Sequence, residues 1–437
     1  MRSGIYRYLL FLSLFMLLCA GISYLSGNIF ITGVCLIAGF MSLAIGVRGY
    51  EKFKGISYTI WILTAVIASM FYPQYFIKVG DFQLKLLIVP LLQIIMFGMG
   101  SQMSFSDLTG VLKMPKGVLI GIFLQFTIMP LVGFTIARIF NFPAEIAAGI
   151  ILIGCVPSGL ASNVMSFLAR ANLALAVTIS AITTLLSPFI TPVLMKWLGG
   201  QFIEVSFWNM MLDILNMIIL PIVAGFTFNL FSEKTAGRRS KNIQILSYFL
   251  IILLTTMVFA KSKNSDFIGF VIQYGKSLVW FFFLPMAGSL IISGFLKNNK
   301  NFMENILSMI SMVGIAVIVT IITASGRDSL MEVGILLMLT SLLHNFTGYS
   351  LGYSIAWLTG MPEKDRRTIA FEVGMQNGGL ASGLALQMGK IATVGLAPAI
   401  FGPLMNITGS ILANWWRGKP PKEKLTQEKM NNEKVIE

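Results

Sequence analysis

GCVPSGLASNV at Gly154–Val164 and FEVGMQNGGLASGL at Phe371–Leu384 decide how this chain reads. Each lies in an apolar stretch and interrupts it with Gly, Pro or amide side chains, and both contain GLAS, at Gly159–Ser162 and Gly379–Ser382. Pro157 removes a backbone donor and clashes with the preceding turn, while the neighbouring glycine relaxes the backbone. In lipid such a break is tolerated only where the freed groups face protein or a water-filled cavity. Two interrupted apolar segments at corresponding places in two halves of a membrane protein point to a transport site.

The rest of the chain supports a membrane setting. Residues are 56% hydrophobic and only 11% charged, which excludes an ordinary soluble domain. The apolar runs are continuous rather than alternating, so they read as helices and not as a barrel. The fold class expected is an all-α polytopic membrane protein with about fourteen spans, since ~20 apolar residues suffice for one crossing. Those spans lie near 6–26, 28–47, 57–73, 84–106, 117–140, 144–170, 172–197, 207–231, 243–262, 274–296, 303–325, 332–359, 367–389 and 391–415.

The formal charge of +14 raises a nucleic-acid reading, but its distribution argues against one. The Lys and Arg residues cluster in short loops between spans. With a cytoplasmic start most of the 32 fall inside, as the positive-inside rule requires. Both termini are therefore expected in the cytoplasm, with the chain in the inner (plasma) membrane. The N-terminus begins like a signal peptide, yet a second apolar run at Ile29–Ile45 and a basic loop follow, so residues 1–50 read as a retained transmembrane hairpin. Leu18 stands before Cys19 where a lipoprotein site needs a small residue, so no lipid anchor is expected. Cys19, Cys35 and Cys155 all lie in apolar segments and imply neither a disulfide framework nor a metal site. The last stretch, 418–437, is charged and poor in aromatics, which predicts a disordered cytoplasmic tail.

Around the breaks stand oxygen groups suited to a small hard cation: Ser158, Ser162 and Asn163 at the first, Glu372, Gln376 and Asn377 at the second. A carboxylate within a membrane segment is costly without a compensating partner. Sodium among carbonyl, amide and hydroxyl oxygens would compensate Glu372; the plainer alternative pairs it with Arg366 or Arg367. Half-helix N-termini, here at Ser158–Gly159 and Asn377–Gly378, present amides to an anion. Other tempting residues have plain readings: His344 hydrogen-bonded to a neighbouring helix, Asp213 near the outer interface unless it faces a cavity, the methionines as packing, and Pro130, Pro188, Pro192 and Pro221 as kinks.

The motifs GCVPSGLASNV, TISAITTLLSPFITPVL, FEVGMQNGGLASGLAL and FGPLMNITGSILANWW resemble the bile acid:sodium symporter family, as do QFTIMPLVGF and LHNFTGYSLGY. The resemblance spans 57–231 and 303–415. It implies inverted five-helix repeats, a panel and a core domain, and two discontinuous helices that cross in the core. Residues 57–231 would then hold the first repeat and the start of the second, 303–415 the remainder, and 240–300 an inserted transmembrane hairpin. The resemblance further implies two sodium sites. One would use Ser162, Asn163, Ser180 and Glu372; the other Gln125, Glu372, Gln376 and the carbonyls of Val373 and Met375. Asn377 would contact substrate or fix the crossover, with Ser158, Gly159 and Gly378 beside it on the substrate side. Two positions depart from the family pattern: Ala176 replaces a hydroxyl, and Leu160 a small polar residue.

These readings converge on a sodium-coupled symporter that imports an organic anion, bile acid-like or another amphipathic carboxylate or sulfonate, and that is not an enzyme. The partners expected are Na+, the anion and membrane lipid, without nucleic acid; oligomeric state is not legible. The alternatives are a proton-coupled or export transporter on the same fold and a non-transporting receptor or scaffold.

Overall fold

The computed structural model describes residues 2–50, 56–103, 110–232, 300–419 and 421. The second hairpin, expected at 240–300, lies outside the described residues up to position 299, and so does the expected tail from position 422.

The described chain is helical except for one small hairpin. In order the helices are α1 (Arg2–Leu25), α2 (Ile29–Gly46), α3 (Ile56–Phe71), α4 (Ile88–Gln102), α5 (Pro115–Ile139), α6 (Ala144–Cys155), α7 (Leu160–Leu168) and α8 (Leu173–Trp197). There follow α9, made of Phe207–Ile214, a π-helical turn Leu215–Ile219 and Leu220–Ser232, then α10 (Lys300–Ser325), α11 (Arg327–Leu358), α12 (Glu363–Gly374), α13 (Gly378–Gln387) and α14 (Leu396–Arg417). Between α3 and α4, β1 (Lys78–Val79) pairs antiparallel with β2 (Phe82–Gln83), Lys78 opposite Gln83.

Among the described residues eight helices are long and apolar enough to cross a membrane, and three shorter apolar helices accompany them. The interrupted segments expected at 144–170 and 367–389 are each two short helices, α6–α7 and α12–α13, joined by extended residues. The last expected span begins later than its hydropathy suggested, at Leu396, after a turn containing Gly389. Helix starts follow local chemistry: the Asn28, Asn172 and Asn377 side chains accept from backbone N–H groups three residues on, and Pro115 opens α5 where its missing N–H costs nothing.

The helices pack as two groups. In one, α1 lies on α2, α2 on α3, α3 on α10, α10 on α4 and α4 on α9. In the other, α5, α6, α7, α8, α11, α12, α13 and α14 pack on one another. Helix α1 sits at the margin and shows its apolar side chains, Phe11, Leu14, Phe15 and Leu18, on the outside, as a lipid-facing helix does. The α4–α9 contact is made backbone to backbone: a Cβ on Gly100 would lie 2.0 Å from Ile222 O, and one on Gly225 2.0 Å from Phe97 O. Small residues permit this approach where lipid offers no hydrophobic drive for helix association. The prolines inside α5, α8 and α14 leave their helices continuous, and Pro221 follows directly on the π turn of α9.

Candidate functional site

The two breaks meet. Ser158 and Gln376 form an antiparallel bridge, with Gly159 N donating to Met375 O at 3.0 Å and Asn377 N donating to Pro157 O at 2.9 Å. Backbone groups released from both helices thus satisfy each other at the crossing, which answers the requirement that lipid imposes. Gly159 is needed there because a Cβ would lie 2.7 Å from Gln376 O. Neighbouring helices cap the ends: Asn345 donates to Gly374 O at 2.8 Å, Thr408 donates to Asn345 Oδ1 at 2.5 Å, and Thr191 donates to Cys155 O at 2.8 Å.

Glu372 lies in α12, two residues before its last residue Gly374, and is fully buried. Ser158 and Ser162 each donate to its carboxylate at 2.6 Å, and Ser180 donates at 2.8 Å. Asn163 Oδ1 accepts from Ser180 at 3.3 Å. The first expected ion set is therefore gathered in one place, with Ser158 added. Sequence reasoning placed Ser158 both among the oxygens suited to a cation and beside the substrate; the antiparallel bridge presents it to α12, and its hydroxyl turns toward Glu372.

Neither arginine reaches this carboxylate. Arg367 pairs with Glu363 at 2.9 Å and donates to the carbonyls of Ala169 and Trp416, and Arg366 also turns to Glu363. Among the described residues no Lys or Arg forms an ion pair with Glu372. A buried lone carboxylate costs several kcal/mol, and hydrogen bonds to a charged group return about 1.5–3 kcal/mol each. Three hydroxyls bring the site near balance and supply no counter-charge.

The second expected set forms an adjoining chain. Gln125 Nε2 donates to Gln376 Oε1 at 2.6 Å and to Val156 O at 3.0 Å, and Gln376 Nε2 donates to Val373 O at 2.6 Å. Among the described residues no hydrogen bond links Gln125 or Gln376 to the Glu372 carboxylate; the two sets meet through the backbone of residues 372–376. The Val373 and Met375 carbonyls already accept one bond each and keep a second lone pair. Gln125 Oε1, by contrast, is buried with no partner. An acceptor oxygen left bare among hydroxyl, amide and carboxylate oxygens fits a hard cation such as sodium.

Beyond the crossing a cavity of about 100 Å³ separates the two helix groups. Leu92, Ile95 and Ile318 make an apolar wall from α4 and α10, while Gly159, Asn377 and Gly378 face them from the crossover. The half-helices start differently. Asn377 caps α13 by accepting from Leu380 N at 3.0 Å, whereas Gly159 begins α7 with no side-chain cap. The first turn of α7 therefore presents the less satisfied N–H groups, and Leu160 and Ala161 from that turn line the cavity.

Away from the crossing, His344 is bonded through Nε2 to Met129 O at 2.9 Å, the plainer of its two readings. Asp213 does line a cavity, of about 160 Å³, with Glu204, Asn209, Gln387 and Lys390. The carbonyl-capping role of Asn345 was not legible, although LHNFTGYSLGY marked its neighbourhood; the signal was a buried amide on a helix face, without local context to aim it.

Sequence comparison gives a consistent picture. The family model described as "Sodium Bile acid symporter family" matches residues 89–267. The "Uncharacterized sodium-dependent transporter YocS" of Bacillus subtilis is 31% identical over 386 residues, spanning 88% of this chain and 98% of its own. The "Probable sodium/metabolite cotransporter BASS1, chloroplastic" of Arabidopsis thaliana is 28% identical over 332 residues, 76% of this chain and 67% of that one. Among solved structures, the sodium proton antiporter MjNhaP1 of Methanocaldococcus jannaschii aligns with a TM-score of 0.47 at 15% identity, covering 90% of this chain and 99% of that chain, a likeness too distant to bear on fold or coupling. With nearly the whole of the Bacillus relative matched above 30% identity, the chain belongs to the sodium bile acid symporter family.

Proposed function

We propose that this protein is a sodium-coupled symporter that imports an organic anion by alternating access between the two helix groups, the panel (α3, α4, α9, α10) and the core (α5–α8 and α11–α14), with inverted five-helix repeats and about fourteen spans. The observation that carries the reading is Glu372, fully buried without a basic partner and held by hydroxyls from the other broken helix and from α8. Sodium at Glu372, Ser158, Ser162, Ser180 and Asn163 would tie α12 to α7 and α8 and so fix the crossing. A second sodium at Gln125, Gln376, Val373 O and Met375 O would take the bare Gln125 oxygen as ligand. With the crossing fixed, the N-terminus of α7 faces the cavity with about half a positive charge, which favours the substrate's anionic group.

The apolar wall of α4 and α10 suits an amphipathic anion. In this conformation the cavity of about 100 Å³ is smaller than the ~150 Å³ that accommodates benzene, so it closes over a compact carboxylate or a headgroup. A steroid-sized anion requires the panel and core to separate. The names of the plant relatives, sodium/metabolite cotransporters, agree with a small metabolite. Placement in the inner (plasma) membrane with both termini cytoplasmic follows from the basic loops.

The test is uptake of radiolabelled taurocholate, and in parallel pyruvate and succinate, into proteoliposomes under an inward sodium gradient. Potassium and the Glu372→Ala variant serve as controls. Sodium-stimulated uptake that is lost in the variant supports the reading. Uptake that follows a pH gradient and ignores sodium overturns it in favour of proton coupling at Glu372, which the same three hydroxyls could equally surround.

A further inference from the structure

At the end of the molecule opposite the basic loops a third, larger cavity of about 600 Å³ opens between the helix groups. Lys78 in β1 and Lys85 just after β2, on the panel side, line one wall; Lys390 and Thr393, from the connection between α13 and α14, line the other with Glu145. Among the described residues Lys78 and Lys85 take part in no ion pair. Lys390 is different: it is ion-paired to Glu145, whose other oxygen accepts from Thr393 at 2.5 Å. The wall thus carries three ammonium groups against one carboxylate, and the carboxylate is engaged by the residues that fix Lys390 in place.

Two further observations make this more than a solvated face. The positive-inside rule disfavours lysine in short outer loops, yet here three such lysines converge on one concavity. The cavity also sits on the seam between panel and core, with each group contributing lysine, and Lys390 lines at once this cavity and the smaller one beside Glu204 and Asp213. A low-dielectric concavity of one sign concentrates ions of the other sign and raises their rate of capture.

From this geometry we infer that the cavity is an outer anion-binding vestibule, in which Lys78 and Lys85 capture the carboxylate or sulfonate of the substrate opposite Lys390. The inference rests on the reading of the protein as an organic-anion carrier. It adds a subsite distinct from the crossing and gives it a chemical class, anions bearing a terminal carboxylate or sulfonate. Because Lys78 and Lys390 come from opposite groups, a bound anion would bridge panel and core on the outer side.

The deciding experiment labels amines rather than following transport. The full chain in proteoliposomes is treated with a membrane-impermeant acetylating reagent, and acetylation at Lys78 and Lys85 is followed by mass spectrometry. Lys196, exposed at the same end but outside the cavity, is the internal control. Taurocholate or succinate at about twice its dissociation constant should slow labelling of Lys78 and Lys85 about threefold relative to chloride of equal ionic strength, and leave Lys196 unchanged. The same protection is expected in Glu372→Ala. In transport, Lys78→Gln combined with Lys85→Gln should raise KM and flatten its dependence on ionic strength. Unprotected lysines together with sodium-dependent uptake overturn the vestibule and leave the symporter standing. Protected lysines without sodium-dependent uptake of any anion tested overturn the symporter and leave the subsite.

Discussion

The two broken helices share the word GLAS and differ in almost everything that does chemistry. At the first break the side chains are hydroxyls, Ser158 and Ser162, and α7 begins at a bare Gly159. At the second they are a carboxylate and carboxamides, Glu372, Gln376 and Asn377, and α13 begins at an Asn that satisfies its own first turn. One half supplies neutral donors and an open helix N-terminus; the other supplies the charge. In the proposed symporter the second break would attract the cation and the first would receive the anion. The crossing bridge Ser158–Gln376 places the two roles side by side.

The largest effect should come from removing the charge that only the second break carries. Glu372→Ala deletes the acceptor of three hydroxyls, and loss of sodium-stimulated uptake by about 100-fold or more is expected, since a carboxylate ligand to a hard cation has no substitute here. Retention of normal sodium-driven uptake would mean that the charge sits elsewhere.

Next comes a pair of glycines, one at each break. Gly159→Ala puts a Cβ 2.7 Å from Gln376 O, where only backbone can yield, and overpacking of this kind costs about 1–3 kcal/mol. Gly378→Ala meets nothing closer than Pro398 O at 3.4 Å and should change stability by no more than about 0.5 kcal/mol. Thermal unfolding of the two purified variants side by side checks this. Equal melting shifts would show that the crossing is looser than the bridge between Ser158 and Gln376 implies.

A smaller effect is expected at the caps. Asn377→Ala removes the acceptor for Leu380 N and should cost about 1 kcal/mol. If its role is to hold α13, Asn377→Asp, which keeps the acceptor, restores the melting temperature. If Asn377 also binds substrate through its amide N–H2, that variant remains impaired in KM for the anion while stability recovers.

The sequence carried the frame of this site because its main signals are local. Proline and glycine within an apolar run mark a break wherever they occur, and Glu372 stands out as a carboxylate beside one. What escaped it is non-local. Nothing near Ser158 says that its hydroxyl faces α12, because that depends on which backbone atoms pair across 217 intervening positions, as the bridge to Gln376 fixes. The same holds for Asn345 on Gly374 O and for the π turn Leu215–Ile219, where the backbone carbonyl of Asn216 accepts from Gln93 at 3.2 Å. Asp213 could not be assigned to a cavity or a lipid interface from its own helix, because Gln387 and Lys390, which share its cavity, belong to the other helix group.

The finest comparison concerns a methyl group where the family resemblance leads one to expect a hydroxyl. Ala176 is fully buried on α8, one helical turn before Ser180, which reaches Glu372. Residues four apart on a helix share a face, so Ala176 lies on the face that carries Ser180 toward the proposed ion set, without an oxygen to offer. Ala176→Ser would add one ligand of the type already present, and a single additional hydrogen-bonding or ligating oxygen is worth about 1 kcal/mol. The half-saturating sodium concentration for uptake should fall about fivefold as a result, with the anion KM at saturating sodium little altered. A sodium dependence identical to that of the parent would remove Ala176 from the ion's surroundings. The site would then be closed on the side of α8 by Ser180 alone, and the absent hydroxyl would no longer distinguish how tightly this chain holds its cation.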